Sequence, residues 1–217
     1  MRSMMQPSRA LMASFAAASV LGLSACSDAQ QTPELDAPAQ FMYELGQLCG
    51  NAYSGERVVA RQDRDDMLQG DEDLVVHFAE CYNDQVFAAF HIGADAGQGD
   101  WDRSRTWIYT AHPERLELRH DHRLEDGSED TDNTMYGGYT ESQGQAADGT
   151  LIQRFIFTER TGENNAQLGW QVEIEPGVRY TYGTFQGDEW TWRVDFDLSQ
   201  SVDAPPAAWG HTAGYRD

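Results

Sequence analysis

Between residues 190 and 198 apolar side chains alternate with polar ones: Trp190, Trp192, Val194, Phe196 and Leu198 fall on one side, Thr191, Arg193, Asp195 and Asp197 on the other. A period of two marks a strand with one buried and one wet face. The same alternation runs through Trp170, Val172 and Ile174, and again through Val178, Tyr180 and Tyr182. Pro176-Gly177 separates those two runs, and Gln186-Gly187-Asp188 turns the chain into the last one, so the three form a meander. Upstream, Asp148-Gly149 leads into residues 151–159, and His112-Pro113-Glu114 joins 106–110 to 116–123. Residues 57–61, 74–81 and 86–92 supply earlier strands. Phe41, Leu45, Leu48 and Ala52 recur instead at helical spacing and predict one short N-terminal helix. About eight to ten short strands at regular spacing predict a mainly β fold. An antiparallel up-and-down β-barrel of calycin (lipocalin-like) type, with the helix packed across one end or side, fits best; periodicity leaves a β-sandwich open.

Before the helix the pattern changes. Arg2 and Arg9 flank a start free of acids, and residues 10–25 are apolar or small throughout. That run is short for a bilayer span, which needs about 20 apolar residues, and no basic stop-transfer patch follows it. It closes on Leu23-Ser24-Ala25-Cys26, which resembles the lipobox of bacterial lipoproteins. The resemblance implies diacylation of the Cys26 thiol, cleavage before it and acylation of the new amino terminus, so that the protein is held to a membrane by its lipid. Ser27, rather than Asp, after the cysteine leans towards the outer membrane of a bacterial envelope, facing the periplasm. The organisation expected is therefore a signal peptide over 1–25, a polar tether over 26–40, a single barrel domain over 41–198 and a loosely held tail over 199–217, which Trp209 and Tyr215 could dock.

Composition sharpens this picture in two places. With Cys26 assigned to lipid, Cys49 and Cys81 remain as a pair in an oxidising compartment and are expected to form a disulfide. The net charge is -21, and all fifteen basic residues are arginine. Such a surface repels nucleic acid and anionic lipid, which excludes both as electrostatic partners.

Candidate chemistry concentrates in one stretch. On a strand, Leu116, Leu118, His120 and His122 share a face and continue the core-facing row towards a strand end, while Glu117, Arg119, Asp121 and Arg123 share the other. In a barrel this puts the two histidines near a mouth, where ligand pockets tend to lie. A His-x-His pair can also hold a divalent metal, for which His77, His91 or an inward carboxylate would supply a third ligand. Asp126, Ser128, Asp130 and Asp132 begin like a calcium loop, but Thr131 stands where such a loop needs glycine and Gly137 where it needs glutamate.

Arg103-Ser104-Arg105-Thr106-Trp107, the run from Leu118 to Arg123, Glu125-Asp126-Gly127-Ser128-Glu129-Asp130 and Thr134-Met135-Tyr136-Gly137-Gly138 together resemble a family of uncharacterised bacterial envelope proteins. The resemblance covers about the middle third of the chain and implies no activity. With it, the candidate ligand-binding set is Arg105, Trp107, His120, His122, Arg123, Asp126 and Tyr136. No Gly-x-Ser-x-Gly elbow and no phosphate-cradling loop occurs. The expected role is a small-ligand-binding or accessory module rather than an enzyme. A metal-dependent enzyme using His120 and His122, with Asp121 or Asp126 orienting a ligand, and a structural envelope protein are the alternatives.

Overall fold

The computed structural model describes residues 35–60, 68, 72–93 and 100–216. The expected signal peptide, Cys26 and most of the expected tether lie outside them. Asp36 caps the helix α1 (Ala37–Gln47), its carboxylate accepting from the Ala39 amide at 3.0 Å. Pro38, in the first turn, is pre-set for helical φ and forfeits no internal bond there. The helix thus begins inside the stretch read as tether and ends before Ala52, which opens β1 instead.

Eleven strands follow among the described residues: β1 (Ala52–Val59), β2 (Leu74–Cys81), β3 (Gln85–Gly93), β4 (Trp101–Ala111), β5 (Leu116–His122), β6 (Tyr136–Thr140), β7 (Gln145–Ala147), β8 (Thr150–Phe157), β9 (Leu168–Glu175), β10 (Arg179–Gln186) and β11 (Glu189–Asp197). Every pairing is antiparallel, mostly between sequence neighbours. β11 returns to β1, with Gly55 opposite Phe196, and β6 pairs directly with β8. Those two contacts close ten strands into an up-and-down barrel, and the sandwich alternative falls. β7 stays outside the ring, paired with the first half of β8, while β6 pairs with the second half.

Tyr136-Gly137-Gly138, where no strand was expected, begins β6. The two glycines are what let β6 in. A Cβ on Gly137 would overlap the Leu118 carbonyl of β5, and one on Gly138 would overlap the Ile156 carbonyl of β8. Only a strand without side chains at these positions fits between its neighbours.

The barrel interior is one hydrophobic core. Phe41 and Leu45 of α1 are fully buried against it, with the Phe41 ring 6.3 Å from Tyr109 and 6.4 Å from Phe155. Burying each side chain contributes about 1.5–3 kcal/mol. The helix is also stapled: Cys49, just past its end, bonds to Cys81 at the end of β2. Deeper in, the Tyr109 and Tyr180 hydroxyls bond to each other at 2.6 Å, so neither is left unsatisfied.

The segment after β11 is not a loose tail. Val202 bridges to Ala52, and the chain then crosses the outer faces of β3, β4 and β5. Tyr215 packs on Phe87 and accepts a bond from the Ala208 amide, while Arg103 donates to the Ala207 carbonyl. Trp209 is only half-buried, so of the two expected docking aromatics Tyr215 is the anchor.

Candidate functional site

At the barrel end where β3, β5, β8 and β10 finish, a cavity of about 340 Å³ opens between the strands. Its walls follow from register. Trp107, His120 and Tyr136 stand side by side on β4, β5 and β6, and Trp170, Thr184 and Trp192 follow one another across β9 to β11. Alternation points these side chains inward together: Trp107, His120, Trp170, Thr184 and Trp192 each lie two residues from a core position on their own strand, and Tyr136 packs against the same core. The rings touch: Phe90 stacks on Trp107 at 5.2 Å, Trp107 lies 3.7 Å from Tyr182, and Phe157 meets Trp170 edge-on at 4.7 Å.

His120 sits in this wall, 7% exposed, with its ring 5.1 Å from Tyr136. Burial lowers its pKa to about 3, helped by the charges of His122, Arg105 and Arg160 and opposed by Asp121. The imidazole is therefore neutral at ordinary pH, and its buried Nδ1 has no hydrogen-bond partner. Trp192 Nε1 is buried and unpartnered too. Burial likewise raises the Tyr136 hydroxyl, against the pull of Arg160 and Arg105. Thr184 and Thr191 bond to each other at 2.8 Å across β10 and β11.

Two arginines reach the mouth. Arg105 is held in place by Asp102 at 2.5 Å and by Ser104 at 2.8 Å. Arg160, in the loop after β8, lays its guanidinium 3.8 Å over the Tyr136 ring and forms no ion pair among the described residues.

Of the residues singled out from sequence, Arg105, Trp107, His120 and Tyr136 line the cavity. His122 does not; it stacks on His120 at 5.2 Å, and its Nδ1 lies 3.4 Å from Asp130. Arg123 is no rim residue, because it turns to the outer face and holds Asp121. Asp126 stays in an exposed turn, accepting from the amide and hydroxyl of Ser128. Sequence reasoning missed Arg160, Leu168, Thr184 and Phe185.

The metal reading loses its third ligand. Val86, Ala88, Phe90 and Ile92 face the interior, so Phe87, Ala89 and His91 face outward, and His77 lies outside as well, between inward Val76 and Phe78. The sheet itself stands between them and His120. No three His, Cys, Asp or Glu side chains are grouped for a metal ion among the described residues. His91 is buried with both ring nitrogens unpartnered, and burial, then the charges of His77 and Arg103, lower its pKa to about 3.

Asp121 has a role that its spacing did not reveal. It is 2% exposed on the outer face, 2.6 Å from His211 Nε2, 3.1 Å from Arg123 Nε and 3.3 Å from the Thr134 hydroxyl. Burial pushes its carboxyl up, but hydrogen bonds from His211 and Arg123 and the Arg123 charge outweigh that and lower it. This pair fastens the C-terminal segment to the back of the strand that presents His120.

The chain matches no family model, no curated protein and no solved structure. Its function is read from the barrel alone. A second depression, of about 410 Å³, lies outside the barrel between α1 and the β4–β5 turn. Its histidine, His112, is already bonded to Glu117 at 2.7 Å, and among the described residues no buried unpartnered polar atom lines it. The mouth cavity is the stronger site.

Proposed function

We propose that this protein is a lipid-anchored module of the bacterial cell envelope whose barrel mouth takes up a small organic ligand. One observation carries the ligand reading: a cavity of about 340 Å³ walled by His120 and Trp192, whose Nδ1 and Nε1 are buried without partners. Its volume lies in the range of small-molecule sites, about 300–1,000 Å³. An orphaned buried polar atom costs about 1–3 kcal/mol, which a ligand's hydrogen bond would recover. The lining favours binding over turnover: it presents aromatic faces and donors, and among the described residues no carboxylate, serine or cysteine. The anchor rests on the Leu23-Ser24-Ala25-Cys26 signal.

Native mass spectrometry of the full chain, purified from membranes, tests both parts. A small molecule should remain bound to the wild type and be lost in Leu168→Trp, which fills the mouth, while the circular dichroism of the two stays the same. Intact mass should carry acyl chains that Cys26→Ser removes, and that variant should leave the membrane fraction. Retention of the small molecule in Leu168→Trp would overturn the cavity reading; an unacylated wild type would overturn the anchor.

A further inference from the structure

We infer that the ligand of the mouth cavity is a flat, ring-bearing organic anion whose acidic group meets Arg160 and Arg105. This deepens the ligand-binding reading above and rests on it.

The argument starts from charge. Thirty-six acidic residues stand against fifteen basic ones, yet the cavity is lined by two arginines and by no Asp or Glu among the described residues. A chain this acidic has withheld carboxylates from one place and put cations there. The two cations differ in state. Arg105 already has a carboxylate, Asp102, and serves as a fixed donor in a positive local field. Arg160 stands on the Tyr136 ring with no carboxylate against it among the described residues. A guanidinium presents a planar fork of N–H groups that matches a carboxylate in two parallel bonds. The stacking on Tyr136 orients that fork at the edge of the cavity.

The shape of the body follows from the walls. Trp107, Trp170, Trp192, Tyr182, Phe90 and Phe157 present broad, stiff faces that cannot refold around a flexible chain. Aromatic rings prefer offset-stacked or edge-on partners and gain about 0.5–1.5 kcal/mol per pair beyond simple burial. A ring system exploits those faces; an acyl chain does not. His120 and Trp192, whose Nδ1 and Nε1 are buried and unpartnered, are the wall residues that a small rotation would turn into donors or acceptors for the ring body.

Isothermal titration calorimetry of the full chain with three probes tests the inference: 2-naphthoate, its neutral amide 2-naphthamide, and decanoate. The naphthoate should bind about tenfold or more tightly than the amide, the expectation for one charge-assisted contact. Arg160→Met, at an exposed position, should weaken the naphthoate several-fold and the amide by less, with Arg105 keeping the remainder of the preference. Decanoate should bind more weakly than naphthoate. Equal binding of naphthoate and amide, unaffected by Arg160→Met, would overturn the anion while leaving a binding cavity in place. Decanoate binding as tightly as naphthoate would overturn the ring-bearing body. Failure of all three probes would overturn the cavity reading itself.

Discussion

His120 is a neutral imidazole built into an aromatic wall, and this gives the folded state a dependence on pH. In the unfolded chain a histidine titrates near its ordinary value of about 6.5, whereas in the barrel burial holds it at about 3. As pH falls from 6.5 towards 3, the unfolded chain takes up a proton that the folded chain refuses. Stability is then fully present above about 6.5 and is lost progressively below it. His120→Gln removes the titration and keeps a polar side chain. Urea unfolding from pH 7 to pH 4 should therefore show a shallower stability loss in the variant than in the wild type; parallel curves would refute the assignment. His91, held at about 3 on the outer face, keeps part of the slope in the variant. The inward turn of His120 was legible in sequence, because it continues the row of Leu116 and Leu118. Arg160 was not legible, since the segment after β8 carries no period. Nor was His211, which meets Asp121 across ninety positions.

At the scale of elements, legibility varied from strand to strand: β2 was expected at 74–81 and spans Leu74–Cys81, whereas a strand expected at 57–61 proved to span Ala52–Val59. β6 was missed because Gly137-Gly138 has the composition of a turn. Packing, not propensity, makes it a strand, since the gap between β5 and β8 admits only a backbone. Gly138→Ala should therefore cost about 3 kcal/mol or more, beyond an ordinary overpacking penalty, because the obstacle is the carbonyl of Ile156. Chemical denaturation measures this directly, and a loss under about 1 kcal/mol would show that β6 can move aside. The helix was placed from Phe41, Leu45 and Leu48, but Ala52 was wrongly added to it. A single alanine at the right spacing carries too little hydrophobic signal to separate helix from the strand it begins. The C-terminal segment escaped for a different reason: its anchors, Ala208, His211 and Tyr215, follow no period and bind one by one.

Over the whole molecule, the disulfide and the ring of strands divide the task of stability. The Cys49–Cys81 bond spans 32 positions, and closing a loop of that size stabilises by about 3–4 kcal/mol in the chain-entropy model. Cys49→Ser with Cys81→Ser should lower the unfolding free energy by that amount and the midpoint temperature by on the order of 10 °C. Reductant should produce the same fall in the wild type and none in the variant, read by thermal melts. The pairing was legible because two cysteines remained once Cys26 was set aside; the closed barrel was expected from the sequential hairpins, although alternation, the same in a barrel and a sandwich, left the alternative open. The β1–β11 contact that decides between them has a kinetic consequence. Strand one waits for strand eleven, about 140 positions later in the register Gly55 to Phe196, and such distant partners make for slow folding. A nascent or truncated chain that ends before residue 189 would show bare margins on β1 and β10, open to pairing with another molecule. Only the docking of β11 hides them, so resistance to aggregation depends on the strand made last by the ribosome among the eleven.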